Sequence, residues 1–207
     1  MNLKVLFTYL RNSPFGGRLS SAQVSGVEAI LSECQRQGVD NVAFIAYILA
    51  TAFHETGGKM AGVTEGLSYS SASRIRATWP KHFATTKDAA PYVRKPQKLA
   101  EYVYGVRKAK ELGNLTPLDG WRFIGRGLVQ ITGRKNYARY GIADKPESAN
   151  EIDVASHILV DGMLRGVFTG GVHKLAAFVD EAGSFDPYEA RRIVNGTDKA
   201  QLIATYY

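Results

Sequence analysis

The feature that most restricts what this chain can become is the apolar run from Phe44 to Phe53, which ends on His54-Glu55-Thr56-Gly57-Gly58. Phe44, Ile45, Ile48, Leu49, Ala52 and Phe53 recur at helical spacing, and so many apolar side chains predict a largely buried helix, capped by Asp40 or Asn41. Two consecutive glycines stop it, which leaves His54 and Glu55 in the last turn of a rigid core element, a good place from which to aim a functional side chain. A carboxyl there is partly desolvated. Desolvation disfavours the charged form, as a general acid working near neutral pH requires. A solvated helix-end glutamate is the alternative, and this segment alone does not choose. A zinc site lacks its second histidine, because Gly58 holds that position.

The remaining pattern is mainly helical. Ser20-Ser21-Ala22-Gln23 reads as the start of a helix, capped by a serine oxygen and carrying Val24, Val27, Ile30, Leu31 and Cys34, with Gly38 as its stop. Ser71 to Phe83, Gln97 to Arg107, Asp153 to Arg165 and Pro187 to Val194 also read as helices, and another starts near Lys199 and is still running when the chain ends at Tyr207. Met60 to Tyr69 reads as loop or short irregular strand, Thr85 to Pro96 as polar surface, and Asn114 to Arg126 as a Gly- and Pro-containing loop. Gly127 to Thr132 is extended at first and then turns into a helix through Tyr137. No repeat, linker or low-complexity tract interrupts the pattern.

The chain has 207 residues, enough for one sizeable core with two lobes and a cleft, and a single domain over residues 1–207 is expected. A net charge of +7 points to a polyanionic partner without naming it. The basic residues Lys95, Lys98, Lys108 and Lys110 read equally well as ordinary solvated positions. Cys34, the single cysteine, excludes an internal disulfide and reads as a packing residue. The apolar run at the N-terminus is too short for a secretory signal, and no stretch approaches bilayer length, so a soluble protein made in the cytoplasm is expected.

Two more segments carry candidate chemistry. Glu65 follows Glu55 by ten residues of loop, in Val63-Thr64-Glu65-Gly66-Leu67-Ser68-Tyr69-Ser70. Two carboxyls flanking one bond are what acid–base glycoside hydrolysis needs, although spacing alone is weak evidence. From Gly120 to Tyr137, glycines stand beside aromatics where a backbone can approach a flat sugar face. Gln130, Thr132 and Asn136 supply uncharged hydrogen-bonding groups there. Gly125-Arg126-Gly127 lacks the further glycine and the Lys-Ser/Thr of a phosphate loop.

Taken in order, His54-Glu55-Thr56-Gly57-Gly58, Glu65 with Tyr69-Ser70, Gly125-Arg126-Gly127 and Gln130-Ile131-Thr132-Gly133 with Asn136-Tyr137 resemble the family-19 glycoside hydrolases, and their phage endolysin branch more than plant chitinases. The resemblance runs from about Leu19 to Asn195. It implies a lysozyme-like, two-lobed, mainly α fold with a central substrate cleft, little or no β, and an inverting mechanism without metal or other cofactor. By carry-over Glu55 is the general acid, Glu65 the general base, and Thr132 helps to hold the attacking water. The implied sugar-binding residues are His54, Tyr69, Ser70, Trp121, Arg126, Gln130, Asn136, Tyr137 and Asn195. The family's later Asn-Gly-Gly segment is matched by Asn195-Gly196, but Thr197 replaces its second glycine.

The implied partner is the glycan of bacterial peptidoglycan, with no nucleic acid, no stable membrane insertion and a monomeric state. An endolysin accumulates in the host cytoplasm and reaches the periplasm and wall through a holin, which fits both the missing signal and the positive charge. Two readings stand beside this one. A chitinase acting on N-acetylglucosamine polymers shares the motifs. A noncatalytic glycan- or nucleic-acid-binding protein shares the charge and aromatics, but lacks a dense basic stripe and retains both glutamates.

Overall fold

The computed structural model describes residues Asn2–Tyr207. In chain order the chain forms α1 (Leu3–Asn12), α2 (Ser21–Arg36), α3 (Val42–Glu55), β1 (Val63–Thr64), α4 (Ala72–Thr78), α5 (Thr86–Ala89) and α6 (Pro96–Ala100). A π-helical segment (Glu101–Arg107) continues α6, followed by α7 (Ala109–Leu112), α8 (Asp119–Arg122), β2 (Arg126–Gly127), α9 (Arg134–Arg139), α10 (Ile152–Arg165), α11 (Arg192–Asn195) and α12 (Ala200–Ala204). Helix accounts for 57% of the chain, and the pair β1–β2 is the one sheet among the described residues, so the fold is mainly α with little β. No helix among the described residues is long and apolar enough to cross a membrane.

The chain divides into two compact units. The first gathers residues 1–63, 127–129 and 150–207, the second 64–126 and 130–149. Because the chain passes back and forth, neither unit is a contiguous stretch.

In the first unit, α2 begins with a capping box in which the Ser20 hydroxyl accepts from Gln23 N–H and the Gln23 side chain accepts from Ser20 N–H. Asn41 caps α3, and Gly57 and Gly58, both at positive φ, turn the chain away after Glu55. Tyr47, Ile48, Leu49, Ala50 and Ala52 of α3 are buried with Val27, Ile30 and Cys34 of α2 and Ile158, Leu159, Val160 and Met163 of α10. Burying each large apolar side chain contributes about 1.5–3 kcal/mol. Burial also pushes the Cys34 thiol up to about 11, in keeping with a packing residue. Between α2 and α10, burial alone would raise the Glu33 carboxyl, but hydrogen bonds from Arg36, Gln37 and His157 outweigh it and bring it down to about 2.

The second unit packs Leu67, Ile75, Phe83, Leu99, Ala100, Val103, Tyr104 and Ile124 into a core of its own. Asp119 takes a bidentate hydrogen bond from Arg134 and accepts from the N–H groups of Leu115 and Thr116, which fixes the loop leading into α8.

Several elements depart from the sequence expectation for identifiable reasons. α4 ends at Thr78, five residues before Phe83, because Pro80 keeps Trp79 out of the helical region. The supposedly polar segment from Thr85 to Pro96 holds α5, begun by a Thr85–Asp88 capping box, and buries Ala89. α8 lies inside the expected loop from Asn114 to Arg126, and the last helix ends at Ala204, before the end of the chain. α1 has no counterpart in the sequence expectation, and it buries no residue fully.

Candidate active site

Glu55 closes α3, so the local sequence sets its direction, but its environment comes from far along the chain. Arg191, in a 3-10 turn (Glu189–Arg191), donates from Nη1 to Glu55 Oε1 at 2.6 Å and from Nε to the Asp198 carbonyl at 2.9 Å. The arginine side chain is 2% exposed and the glutamate 16%. A guanidinium so deeply buried needs a partner, since an unpaired buried charge is costly. The ring of Tyr47 is also within electrostatic reach, and its buried hydroxyl has no hydrogen-bond partner. Burial raises that phenol further above its ordinary range. His54, one residue before Glu55, is held below the ordinary histidine range, first by burial and then by Arg191 and Lys199, with Glu55 and Asp198 opposing. Its imidazole is therefore neutral at neutral pH. Asn195 is exposed at the end of α11, the helix that follows Arg191 directly.

Glu65 belongs to the second unit and is held differently. Its backbone N–H donates to the Gly125 carbonyl at 2.8 Å. Oε1 accepts from the Tyr104 hydroxyl at 2.7 Å, and Oε2 accepts from Gly125 N–H at 3.4 Å. Burial raises this carboxyl above the ordinary range, while the Tyr104 hydroxyl, the Gly125 amide and the Lys108 charge pull the other way. Tyr104 stands in the π-helical segment, itself 9% exposed, so the phenol is fixed by the core. The motif glycine Gly125 has a steric reason. A Cβ there would lie 2.9 Å from Gln130 Oε1 and 3.2 Å from Glu65 Oε2, so both side chains converge on this one residue.

The Gly125–Tyr137 segment gathers several of the implied sugar-binding residues. Gln130 has φ +54°, a conformation that costs a non-glycine residue and that clusters at functional sites. Its carbonyl accepts from Thr132 Oγ1 at 3.1 Å, and the Thr132 carbonyl accepts from Asn136 Nδ2 at 2.7 Å. Gln130, Thr132 and Asn136 are thus linked in sequence and all half-buried. Tyr137 requires a correction. It is 0% exposed, and its hydroxyl donates to the Ile124 carbonyl at 2.6 Å, so it braces the loop from inside rather than meeting a ligand. Arg126 donates to that same hydroxyl and to the Arg122 carbonyl, which turns part of its guanidinium inward. Trp121 on α8 is exposed, Tyr69 packs edge-on against Trp79, and Ser70 is exposed.

Sequence reasoning missed Arg191 and Tyr104, and it named Lys108 only as one of several basic positions without linking it to Glu65. Arg191 and Tyr104 have no motif and act across 136 and 39 residues of chain respectively. Among the described residues no group of three or more His, Cys, Asp or Glu side chains is placed to hold a metal ion.

No family model matches the chain. It is similar to a protein of Haemophilus influenzae (strain Rd) described as a glycosyl hydrolase family 19 domain-containing protein, with 37% identity over 118 residues. That stretch is 56% of this chain and 57% of the relative, so the chain spans little more than half the length of the protein it matches. The likeness supports the family-19 resemblance that the motifs carry.

Proposed function

We propose that this protein is a glycoside hydrolase that cuts the glycan strands of bacterial peptidoglycan by single displacement with inversion. Glu55 gives a proton to the bridging oxygen, Glu65 takes one from water, and Thr132 helps to position that water. Inverting enzymes as a class hold the two carboxyls roughly 6.5–9.5 Å apart, leaving room for the water. The observation that carries this reading is that neither glutamate is an idle surface group: one is tied to a buried guanidinium, the other desolvated beside a phenol. The family-19 relative supports the reaction class. We place the enzyme, as a monomer and a single catalytic domain, in phage-driven lysis, where it reaches the wall through a holin.

The test is digestion of purified peptidoglycan and of chitin in parallel, with mass spectrometry of the fragments and NMR of the new anomeric centre. New sugar reducing ends of inverted configuration from peptidoglycan are expected. Products of amidase or peptidase action would overturn the reading, and activity confined to chitin would replace its substrate.

One observation favours a second reading, in which the two carboxyls exchange roles. Glu65 is the group whose proton affinity is raised, as suits an acid, whereas Glu55 sits in an ion pair that accommodates an anion. Leaving-group chemistry separates the two. The variant that has lost its acid keeps activity on an aryl glycoside with a good leaving group, and the variant that has lost its base does not.

A further inference from the structure

The positive charge is not spread over the molecule. The second unit holds 16 Lys and Arg against 7 Asp and Glu, while the first holds 10 against 12, so the second carries a net +9 and the first −2. Within the second unit, one element organises part of this charge. The π-helical segment offers Tyr104 to Glu65 and, two residues earlier, Tyr102, whose hydroxyl donates to the His82 carbonyl at 3.5 Å. Tyr102 also packs on Phe83 at 5.4 Å between ring centroids. Lys81 and His82 are thereby brought against the segment that ends in Arg107 and Lys108.

Lys108 N–H donates to the Val103 carbonyl, which fixes its backbone at the end of that segment. Its charge reaches both Glu65 and His82, and those of Arg107 and Lys81 also reach His82. Burial first, and then these cations, hold His82 below the ordinary histidine range, with Glu111 opposing. None of the three cations is in a salt bridge among the described residues, and His82 Nδ1 is buried without a hydrogen-bond partner. Three cations thus face His82 against the one carboxylate of Glu111, with Glu65 near Lys108, and this excess of positive charge is a place for an external anion.

We infer that Lys81, Arg107 and Lys108 form a carboxylate-binding rim beside Glu65, which reads the peptide borne by alternate sugars of peptidoglycan. The inference rests on the peptidoglycan reading above and deepens it. Chitin is neutral, whereas the peptides of the wall carry free carboxylates, so this rim discriminates between the two polymers by charge. A guanidinium and two ammonium groups suit the task, since both bind carboxylates through charge-assisted hydrogen bonds.

The experiment measures binding by calorimetry to the Glu55→Gln protein, which removes turnover from the readout. Its ligands are a peptide-bearing peptidoglycan tetrasaccharide, the same compound with its peptide carboxyls amidated, and an N-acetylglucosamine oligomer of equal length. At low salt the free-acid form is expected to bind roughly tenfold more tightly than the amidated form, and the gap should shrink at high salt. In Lys81→Gln/Arg107→Gln/Lys108→Gln on the same background the gap should vanish, while binding of the neutral oligomer persists and reports an intact fold. Equal binding of the two peptide-bearing forms would overturn the rim alone, as would a preference that survives the triple substitution. Binding of the neutral oligomer with neither peptide-bearing form bound would overturn the peptidoglycan reading and the rim together.

Discussion

Around Glu55 the dominant neighbour is a charge, and around Glu65 it is a dry wall with one phenol and one amide. Both glutamates came from motifs, and both sit at the edge of regular structure, yet their electrostatic settings are opposite in kind. Glu55 exchanges water for a guanidinium that has no other acidic partner among the described residues. Glu65 loses water and receives only neutral donors at hydrogen-bond distance, so its proton affinity rises. The difference teaches that two identical side chains acquire distinct electrostatic settings from their neighbours, and that on the proposed reading those neighbours decide which carboxyl suits an acid and which a base.

The largest effects should come from the carboxyls themselves. Glu55→Gln and Glu65→Gln should each lose at least about 10²–10⁴-fold in muropeptide release while remaining folded by circular dichroism. A substantially active Glu55→Gln protein would remove that residue from the chemistry. Next is Arg191→Met, which leaves Glu55 partly buried without its cation; breaking such a pair costs about 3–5 kcal/mol. Denaturant melts should show that loss, and Glu55→Gln in the same background should recover part of it. If Arg191→Met melts like the parent, the ion pair is not holding this end of the first unit together.

Tyr104→Phe tests the other side at smaller scale, removing a hydrogen bond to a charged group that is worth about 1.5–3 kcal/mol. The phenol lowers the Glu65 value against burial, so its loss should raise that value further and move the corresponding limb of the pH–rate profile to higher pH. The stability link has a definite sign. With its folded value raised, Glu65 contributes stability fully below the ordinary carboxylate range, and that contribution is lost as pH rises through the folded value. Glu65→Gln should flatten this part of the stability–pH curve, as followed by thermal melts across pH. Thr132→Ala should show the smallest effect, about tenfold or less in rate, because a positioning hydroxyl contributes less than an acid–base group. A Thr132→Ala loss as large as that of Glu55→Gln would invert the ranking.

What the sequence revealed depended on how local the cause was. The start of α2 at Ser20 and the end of α3 before Gly57 follow from side-chain caps and left-handed glycines within a few residues, and both fell where expected. The convergence of Gln130 and Glu65 on Gly125 was not legible, because the sequence reading assigns the glycines of this segment to sugar contact rather than to close side-chain approach. Tyr137 misled because an aromatic beside polar residues looks the same whether it faces a ligand or braces a loop. Arg191 and Tyr104 left no signal because their partners are tertiary, and Lys108 resembled any other surface lysine. The π-helical turn that aims Tyr104 has no simple periodic signature either.

The Glu55–Arg191 pair also sets a schedule. The two residues are 136 positions apart, and ribosomes add about 5–20 residues per second, so an emerging chain carries Glu55 for on the order of ten seconds before its cation exists. Until then the carboxyl has no fixed seat, and α3 lacks the α10 and α12 surfaces that later cover it. Nascent chains interrupted before residue 191 should therefore leave Glu55 without its cation and the end of α3 open to protease.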